Sequence, residues 1–178
     1  MEIRITVQYT MANYKKLVPF ILKWEGGFVN DKNDSGGATN KGVTIATFRQ
    51  YYGSDKTVAD LKNITDEQWL RIFKQGYWDR WRGDNIASQS VANMLVDWLW
   101  HSGSYGIRLP QKVLKVETDG KVGGNTITAV NTKDPKTLFA QLKAERLAYF
   151  ERLCANSPKN RTFLKGWQNR VNSLIFSD

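Results

Sequence analysis

The chain has 178 residues, 41% of them hydrophobic and 12% aromatic, which is enough for a sizeable core, and it carries a formal net charge of +9. A single cysteine, Cys154, and a single histidine, His101, exclude an internal disulfide and leave no ligand set for zinc. No run of about 18 apolar residues marks a membrane span. The positive charge draws such a chain to polyanions, yet the basic residues are spread along it and no DNA or RNA recognition motif is present, so a nucleic-acid partner is not expected.

Residues 1–10 alternate, with Ile3, Ile5, Val7 and Tyr9 on one side, which fits a short strand on an N-terminal extension. They lack the apolar core and cleavage site of a signal peptide. Leu17, Phe20, Ile21 and Trp24 recur at helical spacing, so a helix is expected from about Tyr14 to Trp24, capped by Asn13 and kinked or started late at Pro19. Gly26 and Gly27 end it, which leaves Glu25 at a helix C-terminus. The turn formers from Asn30 to Gly37 lead into a polar segment through Thr44, read as a loop or small hairpin walling a cleft.

Thr44 suits the cap of a helix over 45–52 stopped by Gly53, and a short helical turn follows around 58–61. Thr65-Asp66-Glu67-Gln68 has the form of a capping box, with Trp69, Ile72, Phe73 and Tyr77 on the buried face behind it. Trp78 and Trp81 fit either a core or a cleft lining. The segment 90–100 is apolar almost all round and belongs in the middle of a fold. Its Asp97 is therefore either an anchor for a neighbouring segment or a group at the cleft floor. An irregular piece with Pro110 precedes a helix over 111–116. The turn-rich stretch 119–126 then starts a helix through Val130. Asp134-Pro135 opens a helix to about Leu153, and after Pro158 comes a last helix with Phe163, Leu164, Trp167, Val171 and Leu174 along one face. No linker rich in Gly, Ser or Pro divides the chain, so one compact helical body is expected.

The chemistry begins with Glu25. The last carbonyls of a helix carry partial negative charge and disfavour an anion beside them, and Trp24, Phe28 and Val29 crowd the same place with apolar surface. Both effects favour a carboxyl that holds its proton, which is what glycoside hydrolysis needs from a general acid. Asp34 follows nine positions later and Thr39 five after that. A second carboxylate and a hydroxyl could thus face the first, although Asp in such turns commonly bonds its own backbone.

The Glu25-Gly26-Gly27-Phe28 start, the continuation Asn30-Asp31 through Asp34, Gly36-Gly37, Thr39-Asn40 and Gly42-Val43-Thr44, and the later Tyr77-Trp78-Asp79 together resemble glycoside hydrolase family 108. These are N-acetylmuramidases of the lysozyme-like superfamily. Asp119-Gly120-Lys121-Val122-Gly123-Gly124-Asn125-Thr126 is similar to the signature of a predicted peptidoglycan-binding module that accompanies them, and serves either wall contact or a structural turn. Lys32 and Ser35 stand where many relatives have Pro, and His101 where the family has Asn.

The resemblance implies a mainly α, lysozyme-like, two-lobed fold with a small β-hairpin after the catalytic Glu. Its catalytic lobe would span 11–100 and its peptidoglycan-binding lobe 101–176, packed into one body. Glu25 would be the catalytic acid, with Asp34 and Thr39 handling water or sugar charge, and Asn40, Thr44, Tyr77, Trp78, Asp97, Trp100 and His101 are the substrate-contact candidates. No metal or cofactor is expected. The partner would be peptidoglycan glycan, cleaved between N-acetylmuramic acid and N-acetylglucosamine by a monomer that reaches the wall after export or lysis. Carboxyl separation, about 5–5.5 Å or about 6.5–9.5 Å, would set a retaining or inverting outcome. The rival reading is a wall-binding or secretion-associated protein without turnover.

Overall fold

The computed structural model describes residues 11–30 and 37–178. The strand expected over 1–10 and the position of Asp34 lie outside them. The described residues form nine α-helices and one two-stranded antiparallel sheet, a mainly α, lysozyme-like fold with a hairpin after Glu25. No helix among them is long and apolar enough to cross a membrane. The described residues resolve into two compact units, one of Tyr14–Arg80 and one of Trp81–Asp178 together with 11–13.

In the first unit, α1 runs Tyr14–Trp24 and buries Leu17 and Ile21. It continues through Pro19 with no late start, although Pro in the second turn lacks the amide that would bond the carbonyl four residues back. The hairpin pairs β1 (Thr39–Asn40) with β2 (Val43–Thr44), with Thr39 opposite Thr44 and Asn40 opposite Val43. Its two-residue turn, Lys41-Gly42, has positive φ at both positions (48° and 77°), the backbone that matches strand twist. Helix α2 (Ile45–Tyr52) starts at Thr44, whose hydroxyl accepts from Thr47 N, and stops at Gly53 with φ 115°.

Helix α3 (Val58–Lys62) and helix α4 (Asp66–Phe73) each open with a complete capping box, Thr57 with Asp60 and Thr65 with Gln68. Beyond Phe73 the helix widens to a π-turn over Lys74–Trp78, then tightens to 3-10 over Asp79–Trp81. Such departures from the α ladder collect at functional sites.

The second unit is organised around α5 (Gln89–Ser102), which buries Val91, Ala92, Met94, Leu95, Val96, Trp98 and Leu99 as its all-round apolar sequence requires. Helices α6 (Tyr105–Leu114) and α8 (Pro135–Asn156) pack against it. The approach of α6 is close: a Cβ on Gly106 would stand 2.3 Å from the Leu99 backbone nitrogen. The irregular piece expected before residue 111 is therefore helical from Tyr105 onward, with Pro110 inside α6.

Buried Gln111 explains the turn-rich segment that follows. Its Nε2 donates to Asp119 Oδ1 (2.8 Å) and Lys121 O (2.9 Å), and its Oε1 accepts from Gly120 N (2.9 Å), so one amide shapes the loop before α7 (Gly124–Thr132). Asp134 caps α8 by accepting from Thr137 N at 2.8 Å. A 3-10 turn over Pro158–Asn160 then leads to α9 (Arg161–Asn172).

Candidate active site

Glu25 is the first residue past α1, and its N–H donates to Ile21 O at 3.2 Å, so the last helical bond holds its backbone in place. The side chain is partly buried. Beyond it, Gly26 and Gly27 are exposed, and a Cβ at either would meet nothing within 4 Å. The chain beside the carboxyl is thus open to the approach of a bulky ligand.

The chain then turns back on itself. Val29 and Thr39 exchange both backbone hydrogen bonds at 2.8 Å, so Val29, Thr39 and Thr44 form a three-residue cross-strand row. This bridge pins both ends of the segment that carries Asp34, whose own placement lies outside the described residues. Thr39 is partly exposed in the middle of the row. The Thr44 hydroxyl is engaged within the protein, accepting from Thr47 N and donating to Thr47 Oγ1 at 3.1 Å.

Two expected substrate contacts in this unit are turned into the protein interior. Asn40 is buried, and its Nδ2 donates to Leu61 O (3.0 Å) and Lys62 O (2.9 Å), which ties the hairpin to the end of α3. Both donor hydrogens are thereby spent on carbonyls at the end of α3, that of Leu61 also accepting from Ile64 N at 3.1 Å. Trp78 has no solvent exposure and meets Tyr14 edge-on at 6.2 Å, so it is a core residue.

Tyr77 keeps its place as a site candidate. It lies in the π-turn, partly buried, and its hydroxyl is pushed up by burial, further by Tyr51 and by the charge of Glu25, against the pull of Arg80. The Tyr51 hydroxyl lies against Gly76, only 2.9 Å from where a Cβ would stand, and burial also pushes it up while Arg80 and Arg71 pull it down. Both phenols stay protonated and able to donate at neutral pH. Sequence spacing does not single out Tyr51 and Arg80; they come near Tyr77 only through the fold.

The remaining candidates sit in the second unit. Asp97 is fully buried and ion-paired twice, its Oδ2 lying 2.7 Å from Arg146 Nη1 and its Oδ1 2.7 Å from Arg170 Nη2. Of the two readings open from the sequence, the anchor is the one these contacts satisfy. Burial by itself raises the Asp97 carboxyl, but the two guanidinium groups outweigh it and hold the group below the usual carboxylate range. His101 is partly buried, edge-on to Phe150 at 5.5 Å and to Trp167 at 5.9 Å. Burial, helped by the charges of Arg146 and Arg170, lowers it to about 4, so its ring is neutral at pH 7. Trp100 is partly exposed near the end of α5. No cluster of three or more metal-ligating side chains exists among the described residues.

A carboxyl between the first helix and a glycine pair, followed by a short hairpin in an otherwise helical chain, is the arrangement of a lysozyme-like fold. Residues 18–103 match the family Glycosyl hydrolase 108, and residues 105–172 match the family described as Predicted Peptidoglycan domain. Among solved structures the chain is similar to one described as the structure of Brucella abortus SagA. The two share 31% sequence identity over 90% of this chain and 90% of that one, with a TM-score of 0.78. No curated protein matches the sequence. The chain belongs to glycosyl hydrolase family 108 and carries a C-terminal peptidoglycan-binding module, which makes it a peptidoglycan hydrolase.

Proposed function

We propose that the protein is an N-acetylmuramidase that cleaves the bond between N-acetylmuramic acid and N-acetylglucosamine, with Glu25 as the general acid. The observation that carries this reading is the setting of Glu25: partly buried at a helix end, open past Gly26 and Gly27, and within electrostatic reach of the Tyr77 phenol. In the proposed step the Glu25 carboxylic acid gives its proton to the glycosidic oxygen as the bond from that oxygen to the sugar C1 breaks. Water adds to C1 and surrenders a proton to the second carboxylate, for which the family pattern supplies Asp34, with Thr39 positioning the water. Tyr77, held as a neutral phenol, would donate to the sugar or to the Glu25 carboxylate once that proton has left. The enzyme would act at the bacterial wall, reached by export or lysis.

The test is fragment analysis by mass spectrometry and reducing-end assay on purified walls, with Glu25→Gln as the variant. Loss of a general acid removes about 10²–10⁴-fold in rate, while sedimentation of the variant with walls should persist. Unchanged release of reducing ends by Glu25→Gln, or fragments ending in N-acetylglucosamine at the reducing end, would overturn the assignment.

A further inference from the structure

The wall-binding half of the chain has a defined point of contact. We infer that the aromatic pair Phe163 and Trp167 on α9 is the platform on which the peptidoglycan-binding module seats the glycan strand. This rests on the reading of peptidoglycan as the ligand and specifies where it is held.

Phe163 and Trp167 lie four positions apart and therefore on one side of the helix. Their rings are nearly parallel, 23° apart, with centroids 5.9 Å from one another. Apolar residues at this spacing commonly read as core, and the sequence alone puts both on one face of the helix. Phe163 is instead 57% exposed, one of the few large hydrophobic side chains so placed among the described residues, and Trp167 is half-buried behind it.

Trp167 is held from the inside by buried Phe150 at 5.2 Å and by the edge of His101. The platform is thus fixed before any ligand arrives, which lowers the ordering cost of binding. A pyranose ring has an apolar face of axial hydrogens, and a rigid, exposed aromatic face is its complement. Rigid aromatics backed by a packed layer are also where binding energy concentrates in interfaces generally.

Charge names the occupant further. The stretch from Arg152 to Ser177 contains five basic residues and no acidic one. Arg152 is paired with Glu145 and Arg170 with Asp97. Lys159, Arg161 and Lys165 remain exposed and without an ion pair among the described residues. Glu151 also reaches α9, accepting from Gln168 Nε2 at 2.9 Å; the exposed charges on α9 itself are all positive, and with the aromatic platform they suit a polymer that offers sugar faces and carboxylates together, as the glycan and stem peptides of peptidoglycan do.

The experiment uses the full chain in the Glu25→Gln background, so that the wall is not consumed, and purified sacculi stripped of teichoic acids. Phe163→Ala should weaken co-sedimentation about tenfold, with an unchanged thermal midpoint because the side chain is exposed, and Phe163→Tyr should restore it. Raising salt should weaken the wild-type surface and the Ala variant alike, since the cationic part survives the substitution. Equal pelleting by Phe163→Ala and the parent would overturn the platform while leaving the wall reading intact. Failure of the parent itself to pellet would instead sink the wall reading. A mass difference between parent and Phe163→Ala in light scattering without sacculi would show that the face holds a second copy of the chain, and would also overturn the platform.

Discussion

Arg146 reaches Asp97 across 49 positions of sequence, its Nη1 standing 2.7 Å from Oδ2, and neither side chain has any solvent exposure. The guanidinium also lies over the rings of Trp98 and Phe150, 5.9 Å from each centroid, and its Nη2 donates to the Asp97 carbonyl. With Arg170 on the other oxygen, one carboxylate joins α5, α8 and α9. Removing it leaves two buried cations without their counter-charge, which is the costly way to break such a site. Asp97→Asn should lower stability by about 3–5 kcal/mol, read by denaturant unfolding. A loss under about 1 kcal/mol, the scale of an exposed pair, would remove the anchoring role assigned to Asp97.

His101 makes stability pH-dependent in its own window. Its folded value of about 4 lies below the ordinary 6.5, so between these the unfolded chain binds more protons than the folded one and stability rises with pH. The contribution is complete above 6.5 and falls away as pH drops toward 4, by about 3 kcal/mol in all. The depressed carboxylates Asp97, Asp119 and Asp134 lose their share only at lower pH, below the ordinary carboxylate range. Replacing His101 with Asn should flatten the slope of the unfolding midpoint between pH 6.5 and 4. An equal slope in both proteins would count against a neutral imidazole at this position.

The same change, Gly to Ala, should act in opposite directions at two helical positions. At Gly106 the new methyl would overlap the Leu99 and Trp98 backbone at 2.3–2.5 Å, and backbone cannot step aside as a side chain can. The Gly106 carbonyl also accepts from Trp81 Nε1 at 3.2 Å, so displacing α6 disturbs that bond too. Gly106→Ala should cost about 3 kcal/mol or more. Gly166, inside α9, faces open space, and Ala there should add about 0.5–1 kcal/mol. Thermal melts of the two variants side by side check the sign of each.

Asn40→Ala distinguishes a structural amide from a substrate contact. The substitution removes the Asn40 hydrogen bonds to the Leu61 and Lys62 carbonyls, the first of which keeps Ile64 N, and frees the hairpin from α3. A stability loss of about 1–3 kcal/mol is expected. Hydrolysis measured well below the new melting temperature should retain most of the wild-type rate. A stable variant with a collapsed rate would return Asn40 to the substrate.

Local signals in the sequence carry far. Thr44, Thr65 with Gln68, and Asp134 mark helix starts because a cap is made by neighbours within three residues, and all three appear as caps in the structure. The apolar run of α5 marks a buried helix for the same reason: its composition leaves it no polar face. The position of Glu25 after α1 follows from the glycine pair beside it. Long-range partners are beyond that reach. Nothing near Asp97 in sequence points to Arg146 or Arg170, nothing near Asn40 points to α3, and the helical spacing of Phe163 and Trp167 describes a buried stripe equally well as an exposed platform. Which side of a helix meets solvent, and which distant charge meets which, depends on how the elements pack, and packing is set by the whole set of contacts at once.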